Sequence, residues 1–79
     1  MKTFSLYSTS ACHLCELAEA MIASVLGTDG NCRVEVLDIS ESQSQFERYG
    51  VRIPVLRHPD GREMDWPFER DALAAFLRS

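Results

Sequence analysis

The feature that most constrains this chain is a change of hydrophobic period at Cys12. Before it, Lys2, Thr3, Phe4, Ser5, Leu6 and Tyr7 alternate polar and apolar, the two-residue repeat of a strand, and Ser8-Thr9-Ser10 reads as the loop that follows. Beyond it, Leu14, Leu17, Ala18, Met21, Ile22, Val25 and Leu26 recur at three- and four-residue spacing, with Glu16, Glu19 and Ser24 between them. That spacing predicts an amphipathic helix with this set as its apolar stripe. Gly27 and the Thr28-Asp29-Gly30-Asn31 cluster are stop signals for it.

The rest of the chain alternates between the same two periods. Residues 32–39 are rich in β-branched side chains and predict a second strand. Ser40 with Gln43 three positions on is a capping-box pattern for a short helix carrying Phe46 and Tyr49, with Gly50 at the C′ position. Residues 51–57 read as a strand with Pro54 near its start. Pro59-Asp60-Gly61 is a turn, because Pro presets φ and Gly accepts a positive one. Residues 62–66 return antiparallel, and Pro67 precedes a last helix bearing Leu73, Phe76 and Leu77. The expected fold class is α/β, in the order β-α-β-α-β-β-α, with the first β-α-β a parallel unit. The sheet is expected to be four-stranded, mixed and flanked by helices, in one domain over residues 1–79.

Composition narrows the function classes. Seventy-nine residues leave no room for a second core. Twelve acidic against eight basic residues give a net charge of −4, the wrong sign for a nucleic-acid binder. No apolar run approaches the ~18–20 residues of a membrane span. The segment Met1-Lys2-Thr3-Phe4-Ser5-Leu6-Tyr7-Ser8 lacks the continuous apolar stretch of a signal peptide, so a cytoplasmic location is expected. Nothing in the chain signals assembly, and a monomer without membrane or nucleic-acid partners is the expectation.

Three cysteines, an odd number, do not form a secreted disulfide framework. Two of them stand as Cys12-His13-Leu14-Cys15, where strand and loop give way to helix. Cys12 thus falls at a helix N-terminus, whose unpaired N–H groups and positive dipole end stabilise a thiolate. Cys15, three residues on, can close a ring onto it, so Cys12 is the candidate attacking thiol and Cys15 the resolving one. Two other readings stand beside this: a pair of buried structural cysteines, and a zinc site. For the second, His13, Cys32 and His58 are the remaining ligand candidates, and they show no second ligand spacing, so no metal is expected.

Tyr7-Ser8-Thr9-Ser10-Ala11-Cys12-His13-Leu14-Cys15 after the first strand resembles the thioredoxin-fold superfamily, and within it the glutaredoxin-like proteins. The downstream Gly50-Val51-Arg52-Ile53-Pro54-Val55-Leu56 and the element order carry the same resemblance over essentially the whole chain. It implies a cis Pro54 facing the cysteine pair, and an Ile53 backbone that pairs with an extended substrate as an added strand. It also implies thiol–disulfide exchange on protein or glutathione mixed disulfides. No tightly bound cofactor is implied, and glutathione or a reductase supplies electrons. The chain departs from dithiol glutaredoxins in having His13-Leu14 between the cysteines, Thr9 three residues before the first, and Asp65-Trp66-Pro67-Phe68-Glu69-Arg70 ahead of the last helix. The usual glutathione grip is therefore only partly present, with Arg52 and Arg57 as substitute cations for a carboxylate or as solvated strand residues.

Of the remaining residues, His13 either tunes the Cys12 thiolate when protonated or points to solvent. His58 is expected at the surface, Cys32 as a small core side chain, Phe68 under the sheet and Trp66 closing the hairpin. The rival reading from another class is a non-enzymatic binding module on the same fold, since fold alone confers no activity. A third is metal capture by the cysteine pair across a dimer.

Overall fold

The computed structural model describes residues 2–27 and 30–79. Met1 lies outside them, as do Thr28 and Asp29 of the expected helix-stopping cluster. The elements are β1 (Lys2–Ser8), α1 (His13–Leu26), β2 (Cys32–Asp38), a 3-10 turn (Ile39–Glu41), α2 (Gln43–Tyr49), β3 (Val55–Arg57), β4 (Glu63–Asp65) and α3 (Arg70–Arg78). They form one four-stranded sheet in the order β2-β1-β3-β4. β1 and β2 run parallel, from Lys2 opposite Cys32 to Ser8 opposite Asp38, while β1–β3 and β3–β4 are antiparallel. The expected α/β architecture with a mixed sheet is the one observed.

Alternation along β1 sends successive side chains to opposite faces, and each face has its own core. Phe4 and Leu6 meet Ala18 and Ile22 of α1, Leu73 and Leu77 of α3, and Leu56 and Phe68. On the other face Tyr7 and Val55 pack with Ile39 and with Tyr49 of α2. Phe68 lies under the sheet as expected, with the Trp66 ring edge-on to it at 5.2 Å. Cys32 packs against the first core, its thiol donating to the Leu77 carbonyl at 3.3 Å. Among the described residues no helix is long and apolar enough to cross a membrane.

Local details differ from the sequence pattern, each for a physical reason. The buried row of α1 is Cys15, Ala18 and Ile22, while Leu14 and Leu17 are exposed. At 100° per residue those two leucines fall to the side of a row that the cysteine has joined. Ser40 does not cap α2. The Asp38 carboxylate accepts from the Ser40 N–H at 2.9 Å and caps the 3-10 turn, and Ser42 caps α2 through the Gln45 N–H. Of the two aromatic side chains that α2 carries, Tyr49 is buried and Phe46 is exposed. Gly50 closes α2 in a right-handed conformation (φ −55°), not a left-handed one. A Cβ there would stand 2.5 Å from the Phe46 carbonyl oxygen, so close approach and not backbone freedom selects glycine. β3 begins at Val55; residues 51 and 52 form a turn, and Val51 is 99% exposed.

The clearest correction is His58. It is 6% exposed, its ring edge-on to Phe4 at 4.9 Å and to Phe76 at 5.6 Å. Nδ1 accepts the Asp60 N–H at 3.0 Å and Nε2 donates to the Ser79 carbonyl at 2.8 Å, so both ring nitrogens are satisfied inside the core. The hairpin turn beside it is as expected, with Gly61 at φ 101° and its N–H donated to the His58 carbonyl.

Candidate redox site

Ala11 has φ 58°, a left-handed backbone that a non-glycine residue seldom adopts. The turn it makes delivers Cys12 to the cap position of α1, in extended conformation with φ −109° and ψ 102°. There the Cys12 carbonyl accepts the Glu16 N–H at 3.2 Å, the first bond of the helix. The Cys12 sulfur accepts the Cys15 N–H, also at 3.2 Å. The sulfur thus occupies the place of a capping oxygen, against an N–H that the helix cannot otherwise satisfy.

Cys12 and Cys15 are joined in a disulfide, with their Cα atoms 5.2 Å apart. The two are unequal in access. Cys12 is half-buried, whereas Cys15 is 1% exposed within the packed row of α1. His13 and Leu14 project away from the core; the His13 ring, 80% exposed, is 3.4 Å from the Glu16 carboxylate. Cys32 is a free thiol on β2, held to the Leu77 carbonyl.

The Ile53–Pro54 peptide is cis, and Pro54 is fully buried. Tyr7 pairs with Val55 across β1 and β3, so continuing that register sets Pro54 opposite Ser8, where the strand enters the cysteine loop. The sequence-expected pair and proline therefore lie at the same end of the sheet. Ile53 already donates its N–H to the Tyr49 carbonyl at 3.0 Å. A cleft of about 240 Å³ lies beside the cysteine loop, lined by Ser8, Thr9, Ser10, Glu19, Val36 and Asp38.

The glutaredoxin-like domain family (DUF836) matches residues 3–78, nearly the whole chain and both cysteines. This chain belongs to the glutaredoxin-like domain family. Its fold is that of the structural-genomics target protein XcR50 from X. campestris, to which it is 36% identical. The crystal structure of XcR50 superposes with a TM-score of 0.82, covering 95% of each chain. The solution structure of the same protein gives 0.79, over 99% of this chain and 94% of that one. Protein Ne2328 from Nitrosomonas europaea, 24% identical, shares the fold at 0.80, over 96% of this chain and 91% of that one. No curated protein matches the chain. It is a thioredoxin-fold protein of redox type, glutaredoxin-like and carrying a two-residue-spaced cysteine pair.

Around the glutaredoxin-like site lies a polar network that the sequence does not announce. The Tyr7 and Tyr49 rings stack at 4.1 Å and 12°. The Tyr49 hydroxyl donates to Glu63 at 2.6 Å, and Arg52 donates to Glu63 at 2.9 Å and to both Asp65 oxygens at 3.1 and 2.7 Å. Arg52 is thereby spent on internal carboxylates. Its hydrogen bonds to Asp65 and then Glu63 hold it in its charged form, and Arg57 is held charged chiefly by Tyr7. Tyr49 is pushed up to about 12, first by burial and then by the Glu63 hydrogen bond. Glu63 is correspondingly lowered, its largest cause the same hydrogen bond. The one usable signal was the alternation of Glu63 and Asp65, which puts both on the same side of a strand. Among the described residues no group of three or more His, Cys, Asp or Glu side chains is placed to hold a metal ion.

Proposed function

We propose that this glutaredoxin-like protein is a thiol–disulfide oxidoreductase with Cys12 as nucleophile and Cys15 as resolving thiol. The observation that carries the reading is the asymmetry of the pair: a half-exposed sulfur at the cap of α1, accepting a helix N–H, joined to a buried one. Hydrogen bonding to the sulfur and the dipole end both favour thiolate over thiol, and only the thiolate attacks a disulfide. In the reduced protein the Cys12 thiolate bonds to one sulfur of the substrate disulfide, and the other sulfur leaves as a thiolate and takes up a proton. Cys15, losing its proton, then attacks the Cys12 sulfur and expels the remaining substrate sulfur. Two electrons pass to the substrate and the Cys12–Cys15 disulfide remains, to be reduced by glutathione or by a dithiol protein.

Two observations favour a polypeptide disulfide over a glutathione one. Leu14 and Val51, on the first turn of α1 and two residues before Ile53, are exposed apolar side chains suited to a peptide. Arg52, a cation that would grip a glutathione carboxylate, is committed instead to Glu63 and Asp65. An extended substrate would pair with the carbonyl of Ile53, whose N–H is donated to Tyr49. The test is reduction of a peptide disulfide by wild type, Cys12→Ser and Cys15→Ser. Activity in wild type that is absent in Cys12→Ser, with a trapped mixed disulfide on Cys12 in Cys15→Ser, supports the assignment; full activity in Cys12→Ser overturns it.

A further inference from the structure

β2 is an edge of the sheet, paired with β1 on one side only. Edges of this kind are usually blunted by proline, a bulge, a short length or charges of one sign, because a bare strand recruits another strand. β2 has seven residues, no proline and an unbroken register with β1. Val36 is 50% exposed although it shares the core-facing side with Val34. A cleft of about 250 Å³ opens there between β2 and α1, with Ala23, Leu26, Val34 and Val36 in its wall.

The opposite face of β2 carries two charges within the strand, Arg33 and Glu35, both exposed and two residues apart. Neither has an ion-pair partner among the described residues. Repulsion at an edge requires one sign, and this edge has both. A second copy of β2 laid antiparallel about a two-fold axis at Val34 sets Arg33 opposite the partner copy's Glu35, and Glu35 opposite the partner copy's Arg33. Val34 then meets Val34 of the partner copy, and Cys32 meets Val36 of the partner copy on the apolar side. Sliding the register by one pleat in either direction opposes Arg33 to Arg33 or Glu35 to Glu35, and like charges directly opposite destabilise a pair. The charge pattern admits one register among these three.

We propose that β2 is a self-pairing edge that joins two copies of this chain through an antiparallel β2–β2 contact, making their two four-stranded sheets continuous. The pairing buries Val36 and the cleft beside it. Ser8 pairs with Asp38, so the cysteine loop lies at one end of β2, and the antiparallel arrangement carries the two loops to opposite ends of the joined sheet, both open.

The test is molar mass by light scattering or sedimentation, in reductant, from micromolar to millimolar protein. Wild type should dimerise with rising concentration. Arg33→Glu and Glu35→Arg, each with like charges opposed twice, should weaken association about tenfold or more. An equimolar mixture of the two variants, acidic at both positions 33 and 35 in one and basic at both in the other, should recover it. Wild type that stays monomeric throughout overturns the proposal; so does a dimer indifferent to both substitutions, or a mixture that fails to recover. Should either variant not fold, wild-type amide exchange decides: the amides around Val34 that point away from β1 must gain protection with concentration, and unchanged exchange there overturns the pairing.

Discussion

The Tyr49 hydroxyl donates to the Glu63 carboxylate at 2.6 Å, tying the last residue of α2 to the first of β4 across the turn that carries Ile53 and Pro54. Tyr49→Phe keeps the stack on Tyr7 and deletes only this bond. A hydrogen bond to a charged group contributes about 1.5–3 kcal/mol, so urea unfolding should show a loss in that range. An unchanged midpoint would mean that the bond contributes nothing net.

Burial of the Tyr49 phenol, and after it the bond to Glu63, makes stability fall at high pH. A phenol whose folded value is about 12, against an ordinary 10.0, is a stronger proton binder in the folded state. Its contribution is therefore complete below pH 10 and is lost as pH rises from there through about 12. Unfolding free energy followed across that window should decline in wild type and decline less steeply in Tyr49→Phe.

On the acid side the sign reverses. Glu63 is lowered, mainly by the Tyr49 hydroxyl and secondarily by Arg52, and Asp65 is lowered mainly by Arg52. Both contributions are present above the ordinary values of 4.5 and 3.8, and both are lost as pH falls through the lower folded ones. Glu63→Gln should flatten the acid limb of the stability profile; an unchanged slope would place the acid sensitivity elsewhere.

Arg52 holds two carboxylates with a planar fork that a lysine cannot reproduce. Arg52→Met should lower the thermal midpoint by a few degrees and slow peptide-disulfide reduction about three- to tenfold, since it releases the residue preceding Ile53. Arg52→Lys should recover part of the stability and less of the rate. Equal recovery of both would show that charge alone suffices.

His58→Ala removes a buried ring and leaves the Asp60 N–H and Ser79 carbonyl without it, so a cost of about 2–4 kcal/mol is expected. His58→Phe restores the volume but not the hydrogen bonds and should recover about half, read by chemical denaturation.

Legibility in the sequence follows the range of the interaction. The period change at Cys12, the Asp60-Gly61 turn and the proline opening a strand are signals written within a few residues, and the elements they predict are present. His58 was opaque because its partners Phe4, Phe76 and Ser79 lie many residues away, and a histidine at a turn looks solvated until they close over it. Arg52, Glu63 and Asp65 are ordinary strand charges until the hairpin brings them together. Leu14 and Leu17 satisfied a helical spacing that Cys15, Ala18 and Ile22 satisfied better, and only packing decides between neighbouring rows. Ser40 and Ser42 both suit a cap, and the 3-10 turn at Ile39–Glu41 settles which one serves α2.

His13 and Leu14 stand outward from the first turn of α1 while Cys15 anchors that turn in the core. The dipeptide between the cysteines thus behaves as an interchangeable insert, since the interior has no volume reserved for it. Its side chains can be exchanged at little expense to folding. The two positions between the cysteines can therefore vary at the surface while the architecture beneath stays as it is.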